Sequence, residues 1–288
     1  MKPNFVVAFL FLAGCASTPN SSIPAPSETA ADPSPIVAAE RAFAADGYER
    51  GVKASFLAFA APDAIMFSPG PVNAHEILSA APDPDPAKPR KHLVWWPLYA
   101  GIAQSGDLGF TTGPYAFDDD RQGFYFTVWK KQPGGAWKWV IDAGLKADAS
   151  NAAAKGTPVK RLRANSVTPT TADDAFAAVT ILEKEVAGDA STNFRTALSR
   201  FLGDDSRLHS QGPAPSTDAS TRESVLAARP ERADIIPLGG GASEAGDLAW
   251  TYGSATTSAG EGYYVRVWQR REEDWRILFD EYLPPAGQ

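Results

Sequence analysis

The sequence predicts an α+β protein made of two copies of one domain, and three observations carry that reading. Ser105-Gly106-Asp107-Leu108-Gly109-Phe110-Thr111 is echoed by Ala245-Gly246-Asp247-Leu248-Ala249-Trp250-Thr251, and Trp129, Trp137 and Asp142 have counterparts in Trp268, Trp275 and Asp280. The offset drifts only from 140 to 138, too long for a solenoid repeat and suited to a duplicated domain. In each half, helical periodicity comes first and aromatic, β-branched strands follow, an order that separates helices from an antiparallel sheet. Finally, Phe124-Tyr125-Phe126-Thr127-Val128-Trp129 is largely apolar on both alternating faces. A sheet with one wet face alternates more cleanly, so the face turned from the helices is expected to pack on the sheet of the sister half.

The elements follow in order. Ser34-Pro35 places a capping residue before a proline in the first turn, which opens a helix with Ile36, Ala39 and Phe43 as its apolar stripe. Gly47 is expected to weaken that helix, and Asp46 with Glu49 reads as a capping-box variant for a second one, supported by the Glu49/Lys53 pair and by Val52, Phe56 and Phe59. Pro62-Asp63 stops it, and Ala64 to Phe67 reads as a short strand. Strands are then expected at Leu93 to Tyr99, Leu108 to Phe117, Gly123 to Lys131 and Trp137 to Asp142, with a hairpin turn at Pro133-Gly134-Gly135.

In the second half Thr171 caps a helix through Ala187, Gly188 ends it, and Asp189 caps the next, which carries Phe194, Leu198 and Phe201 and stops at Gly203. Asp205 to Pro213 then matches Asp63 to Pro71 at an offset of 142, so the repeat reaches beyond the sheet. Strands are expected at Ile235 to Leu238, Leu248 to Ala255, Gly262 to Arg270 and Trp275 to Tyr282, with Gly239-Gly240-Gly241 as a turn. The linker contains Lys160-Arg161-Leu162-Arg163, read as a solvated run rather than a docking patch.

At the N-terminus, Lys2 precedes an apolar run, Phe5 to Leu12, too short for a stable membrane span. It ends in Leu12-Ala13-Gly14-Cys15, which resembles the lipobox of bacterial lipoproteins. That resemblance implies cleavage before Cys15 and lipidation of its thiol. The chemistry needs small residues at the cut and a thiol to alkylate, and Cys15 is the only cysteine. Acyl chains contribute about 0.8 kcal/mol per buried CH₂. The membrane, reached through Cys15, is therefore an expected partner, with the folded part in the cell envelope facing the periplasm. Ala16, rather than Asp, implies the outer membrane.

The expected organisation is a signal peptide at 1–14, a flexible tether at 15–34, domains at 35–145 and 172–288, and a linker at 146–171. Cleavage removes one basic residue, Lys2, taking 27 to 26 against 34 acidic residues, a formal net charge of −8. That balance argues against nucleic acid or anionic lipid as the main partner. With Cys15 lipidated, no disulfide or thiol chemistry is left.

Two helices, a short strand and a strongly curved antiparallel sheet resemble the NTF2-like superfamily, which includes the SnoaL-like domains. Ala39-Glu40-Arg41-Ala42-Phe43-Ala44, Gly51 to Leu57, Phe67 to Ala74, Gly106 to Pro114 and Tyr125 to Lys130 are similar to the DUF4440 subgroup. The resemblance is close over 35–145 and looser over 172–283, where the Thr-Thr-Gly-Pro run and the Pro-Val-Asn segment are missing. It implies a cone with a pocket between helices and sheet. It leaves the chemistry open, because fold does not fix function.

Metal and cofactor chemistry finds no support in the sequence. His75, His92 and His209 are widely separated, and the glycine run lacks the lysine and strand-to-helix setting of a phosphate loop. Acid–base chemistry remains as an isomerase or lyase reading, because the resemblance implies a pocket carboxylate or His as base. Asp142 is the candidate, with Tyr99, Thr112, Tyr115 and Tyr125 as hydroxyl donors; beside Trp96 and Trp139 its pKa would rise. No His–Asp dyad can be placed in either half, and Asp142 with Asp280 suits a structural strand-end role as well. The favoured reading is therefore non-catalytic, binding of a small apolar or aromatic molecule or a scaffold in the envelope; a third is a pure interaction module whose pockets are filled by side chains. Trp95 and Trp96 are adjacent, so on a strand they face opposite sides, and Trp96 is taken as the pocket residue together with Tyr99, Thr112, Tyr115 and Tyr125. In the second half His209, Trp250 and Tyr252 are the equivalent candidates. Pairing between the halves implies a monomer.

Overall fold

The computed structural model describes residues 31–85, 87, 91–162, 167–272 and 274–287. The lipobox with Cys15 and most of the tether lie outside the described residues, as does Arg163 of the basic run. Among the described residues no helix is long and apolar enough to cross a membrane.

The first half runs α1 (Ser34–Arg50), α2 (Val52–Phe59), β1 (Ala60–Phe67), β2 (Pro71–Asn73), α3 (Ala74–Ala80), β3 (Leu93–Trp95), β4 (Tyr99–Ile102), β5 (Leu108–Phe117), β6 (Asp120–Lys131) and β7 (Trp137–Lys146). After β8 (Lys160–Arg161), the second half runs α4 (Ala172–Ser199), β9 (Leu202–His209), α5 (Ala219–Ala227), β10 (Asp234–Ala242), β11 (Leu248–Thr257), β12 (Gly260–Arg271) and β13 (Asp274–Leu283). The sheets are ordered β2-β1-β7-β6-β5-β4-β8, with β3 also on β5, and β10-β11-β12-β13-β9. In both, the first strand of the half adds parallel to the last, β1 on β7 and β9 on β13. The protein is α+β, with two halves of one plan in a single chain, helices packed on a mainly antiparallel sheet in each.

Several local expectations change. Gly47 does not break α1, which continues to the positive-φ Gly51. A Cβ at Gly47 would sit 2.7 Å from the Trp95 ring, so the glycine serves close packing, while Asp46 pairs with Arg50 at 2.6 Å instead of capping a new helix. In α4, Thr171 caps as expected, accepting from Asp174 N at 3.0 Å. The break falls at Asn193 rather than Gly188; Asn193 leaves helical geometry and its side chain accepts from Thr196 N at 2.9 Å, a local cap that Gly188 cannot supply. Pro97 lies in the gap that separates β3 from β4, since it has no N–H for a ladder. Lys160 and Arg161 form β8 parallel to β4, so this part of the linker extends the sheet. Gly239 to Gly241 lie inside β10 beside a bulge rather than in a turn; a Cβ at Gly240 would come within 2.0 Å of the Trp250 carbonyl oxygen.

The two sheets pack face to face. Phe126 stacks on Phe279 with ring centroids 3.7 Å apart, and Phe110 lies 6.3 Å from Phe279. Leu248, Val265, Val267 and Leu278 join the core of the first half. The repeated Gly-Asp-Leu turns meet reciprocally: Gln104 N donates to Asp247 Oδ2 at 2.9 Å and Glu244 N donates to Asp107 Oδ2 at 3.2 Å. This is the self-complementary contact of a twofold interface, here within one chain.

Candidate functional site

The site of the first half is organised by a carboxylate on α1. Ile36, Glu40, Phe43 and Gly47 recur at helical spacing and are all buried, so Glu40 lies on the core face. Its oxygens accept from Trp95 Nε1 at 2.6 Å, from Trp129 Nε1 at 3.0 Å and from the Thr111 hydroxyl. Burial pushes the Glu40 carboxyl up, and the three donors oppose that shift. The bonds tie α1 to β3, β5 and β6. They also occupy the polar edges of both indoles. Phe43 fills the middle, 4.8 Å from Phe56 and 4.9 Å from Trp95.

Between this cluster and the sheet is a cavity of about 230 Å³, lined by Phe43, Phe56, Leu93, Trp95, Tyr115 and Phe117, with Tyr125, Asp142, Ala143 and Gly144 along the sheet. Asp142 faces Thr127 in the β6–β7 register, and the Thr127 hydroxyl donates to its Oδ2 at 2.7 Å. Burial pushes the Asp142 carboxyl up to about 8, with the Glu40 charge adding and the Thr127 bond opposing. At neutral pH it is therefore mostly a protonated acid that can donate. The Tyr125 hydroxyl is buried without a hydrogen-bond partner of good geometry, and burial raises it well above its ordinary value, so it too stays a neutral donor. A second cavity of about 570 Å³ meets the first at Tyr115, Asp142, Ala143 and Gly144. Its walls come from both halves: Met66, Phe67 and Lys146 on one side, and Glu261, Tyr263 and Leu283 to Gly287 on the other.

The second half repeats the frame and pairs its carboxylates. Glu183 on α4 is fully buried and accepts from Thr251 Oγ1 at 2.6 Å and Trp268 Nε1 at 2.8 Å, as Glu40 does from Thr111 and Trp129. It also accepts from Tyr264 OH at 2.9 Å and pairs with Arg266 at 2.6 Å. Arg266 stands opposite Asp280 on β12 and β13, where the first half has Thr127 opposite Asp142. Asp280 binds both Arg266 and Arg229, and Arg229 also donates to Ser210 Oγ and the His209 carbonyl. Burial disfavours the Asp280 charge, but the two guanidiniums outweigh it and hold the carboxyl below its ordinary value. Two buried arginines thus hold Asp280, whose counterpart Asp142 borders the first-half cavity.

The residues named from sequence divide clearly. Asp142, Tyr115 and Tyr125 converge on the inner cavity. Trp96 follows the end of β3 and is buried away from the inner cavity; its Nε1 donates to the Ala153 carbonyl at 3.0 Å and Arg121 covers its ring, while Trp95 takes the pocket position. The Thr112 hydroxyl donates to the Tyr125 carbonyl, and the Tyr99 ring is covered by Arg207 and Lys160. His209 is buried between the sheets against Phe124 and Phe279, with Nδ1 2.9 Å from Glu281 Oε2. Burial lowers the histidine and raises the glutamic acid, so this is a neutral hydrogen-bonded pair. Trp250 and Tyr252 stack on each other at 6.0 Å and pack against the shared core. Sequence reasoning missed Glu40 and Glu183. The signal was available: each interrupts an apolar stripe, Ile36–Glu40–Phe43 and Val179–Glu183–Val186. Among the described residues no group of three or more His, Cys, Asp or Glu is placed to hold a metal ion.

No family model and no curated protein matches this chain. Among solved structures, it is similar to an NTF2-like protein of unknown function from Pseudomonas putida KT2440, at 12% identity and a TM-score of 0.32, covering 40% of this chain and 90% of that one. It is also similar to a DUF3225-family protein of unknown function from Pectobacterium atrosepticum SCRI1043, at 18% identity and a TM-score of 0.33, covering 38% of this chain and 90% of that one. A cystatin-like fold protein from Burkholderia xenovorans LB400 matches at 13% identity and a TM-score of 0.32, again over 38% and 90%.

Proposed function

We propose that the chain is a lipid-anchored envelope protein, held through Cys15 at the outer membrane and facing the periplasm, whose first half binds a small apolar or aromatic molecule. The observation that carries this reading is the inner cavity: an aromatic chamber with Asp142 and Tyr125 as its polar contacts. Few polar groups in a mostly apolar concavity is the usual composition of a small-molecule site. The second half, with Asp280 held by Arg229 and Arg266, serves as partner and wall.

A second reading is an isomerase or lyase acting through Asp142. Its support is a pocket carboxyl held near 8, which can give and take a proton near neutral pH, beside two tyrosines that stay neutral. Native mass spectrometry tests the first reading, using protein secreted with Cys15→Ser and purified without denaturant. A mass excess that vanishes on denaturation is the expected result and gives the ligand's mass. A bare chain that also fails to bind indole or 2-naphthol at millimolar concentration would remove the binding reading. Turnover lost in Asp142→Asn, with binding intact, would establish the second.

A further inference from the structure

The inner chamber, at about 230 Å³, is smaller than the roughly 300–1,000 Å³ of drug-sized sites. It shares Tyr115, Asp142, Ala143 and Gly144 with the lining of the outer chamber of about 570 Å³. The two differ in chemistry. The inner walls are aromatic. The outer ones carry Lys146, Gln211, Glu261 and Tyr263. Lys146 is the only cation among the lining residues, is exposed, and makes no ion pair among the described residues. Glu261 is engaged, accepting from the Tyr263 hydroxyl at 3.0 Å.

We propose that the two chambers form one composite site for an elongated acid, its apolar end in the aromatic chamber and its anionic head beside Lys146, under a wall supplied by Tyr263 and residues 283–287. The proposal rests on the binding function above and extends it to a ligand class. It also gives the second half a part in the site: Tyr263, Leu283 and the prolines after it supply part of the outer chamber's lining. Asp142, at the junction of the two chambers, meets the middle of such a ligand as a hydrogen-bond donor.

Calorimetric titration of the full chain carrying Cys15→Ser tests this with three probes: indole, 8-phenyloctanoate and 8-phenyloctanamide. The acid is expected to bind at least tenfold tighter than indole and about fivefold tighter than its amide. Lys146→Met should remove the preference for acid over amide and leave indole unchanged. Lys146 is exposed, so this variant folds; Tyr263→Ala should weaken both long probes and spare indole. If indole binds but the acid gains nothing over it, or Lys146→Met keeps the acid preference, the composite site is wrong and the inner pocket stands. If none of the three probes binds, both the composite site and the binding function fall.

Discussion

Replacing Asp142 by asparagine separates the chemistry of the site from its shape. The carboxyl titrates near 8 in the folded chain against an ordinary value of 3.8. Between those values the folded chain holds a proton that the unfolded chain has released, so stability falls as pH rises through this window and levels off above about 8. From 3.8 to pH 7, at about 1.36 kcal/mol per pH step, the ceiling is about 4 kcal/mol. Asp142 is only half-buried and borders the open outer cavity, so solvent takes part of that, leaving roughly 1–3 kcal/mol. Asparagine keeps an oxygen to accept from Thr127 and does not titrate.

Urea unfolding of parent and Asp142→Asn at pH 5, 6, 7 and 8, followed by tryptophan fluorescence, reads the difference. The variant should gain on the parent steadily with pH, by roughly 1–3 kcal/mol at pH 8. Burial also raises Glu40 and Glu281, but these are common to both proteins and cancel in the comparison. Parallel stability curves across the series would refute an Asp142 that is protonated in the fold. The same variant retains an N–H donor, so ligand binding should survive and lose the weakening expected of the parent above pH 8.

Glu183→Gln should destabilise by roughly 3–5 kcal/mol in urea melts, because it strips a buried partner from Arg266. Glu40→Gln removes hydrogen bonds but no ion pair, and should cost roughly 1–3 kcal/mol. Phe279→Ala, at the stacked centre of the two sheets, should cost roughly 3–5 kcal/mol, and the two halves expressed separately should each self-associate or aggregate in analytical ultracentrifugation. Gly113→Ala would push a methyl to 2.0 Å from the Trp96 carbonyl oxygen, where only backbone movement can make room, so calorimetry should show a clear drop in Tm.

Repetition made the architecture legible. The doubled Gly-Asp-Leu turns and the two-faced apolar strand Phe124 to Trp129 implied both the second copy and the sheet-on-sheet packing that Phe126 and Phe279 carry out. Local breaks were less legible, because tertiary contacts decide them. Gly47 and Gly188 look alike in sequence, yet neither ends its helix; Gly47 makes room for Trp95, and the break in α4 belongs to Asn193, whose side chain can replace the missing helical bond. Trp95 lines the inner cavity and Trp96, just past the end of β3, does not, the reverse of the sequence expectation, because adjacency alone does not say which indole turns inward. Glu40 decides it by drawing the Trp95 N–H inward, and that requires knowing that a charged residue sits on the buried stripe of α1.

One substitution between the repeats accounts for most of the difference between the two halves. Thr127 and Arg266 occupy the same register against Asp142 and Asp280. A threonine can give its carboxyl one hydrogen bond and no charge, so burial wins and the acid stays protonated beside the inner cavity. An arginine at the same place is tolerated only because Glu183 and Asp280 are both there to meet it; burial works against the guanidinium, but the two carboxylates outweigh it and hold its pKa up. Once Arg229 joins, every member of that cluster has an opposite charge at hydrogen-bond distance, and the acid has no proton left to offer. Two halves of one plan make such a division possible: with the frame present twice, one half can turn its acid into an inert ion pair while the other keeps a protonated carboxyl facing the inner cavity.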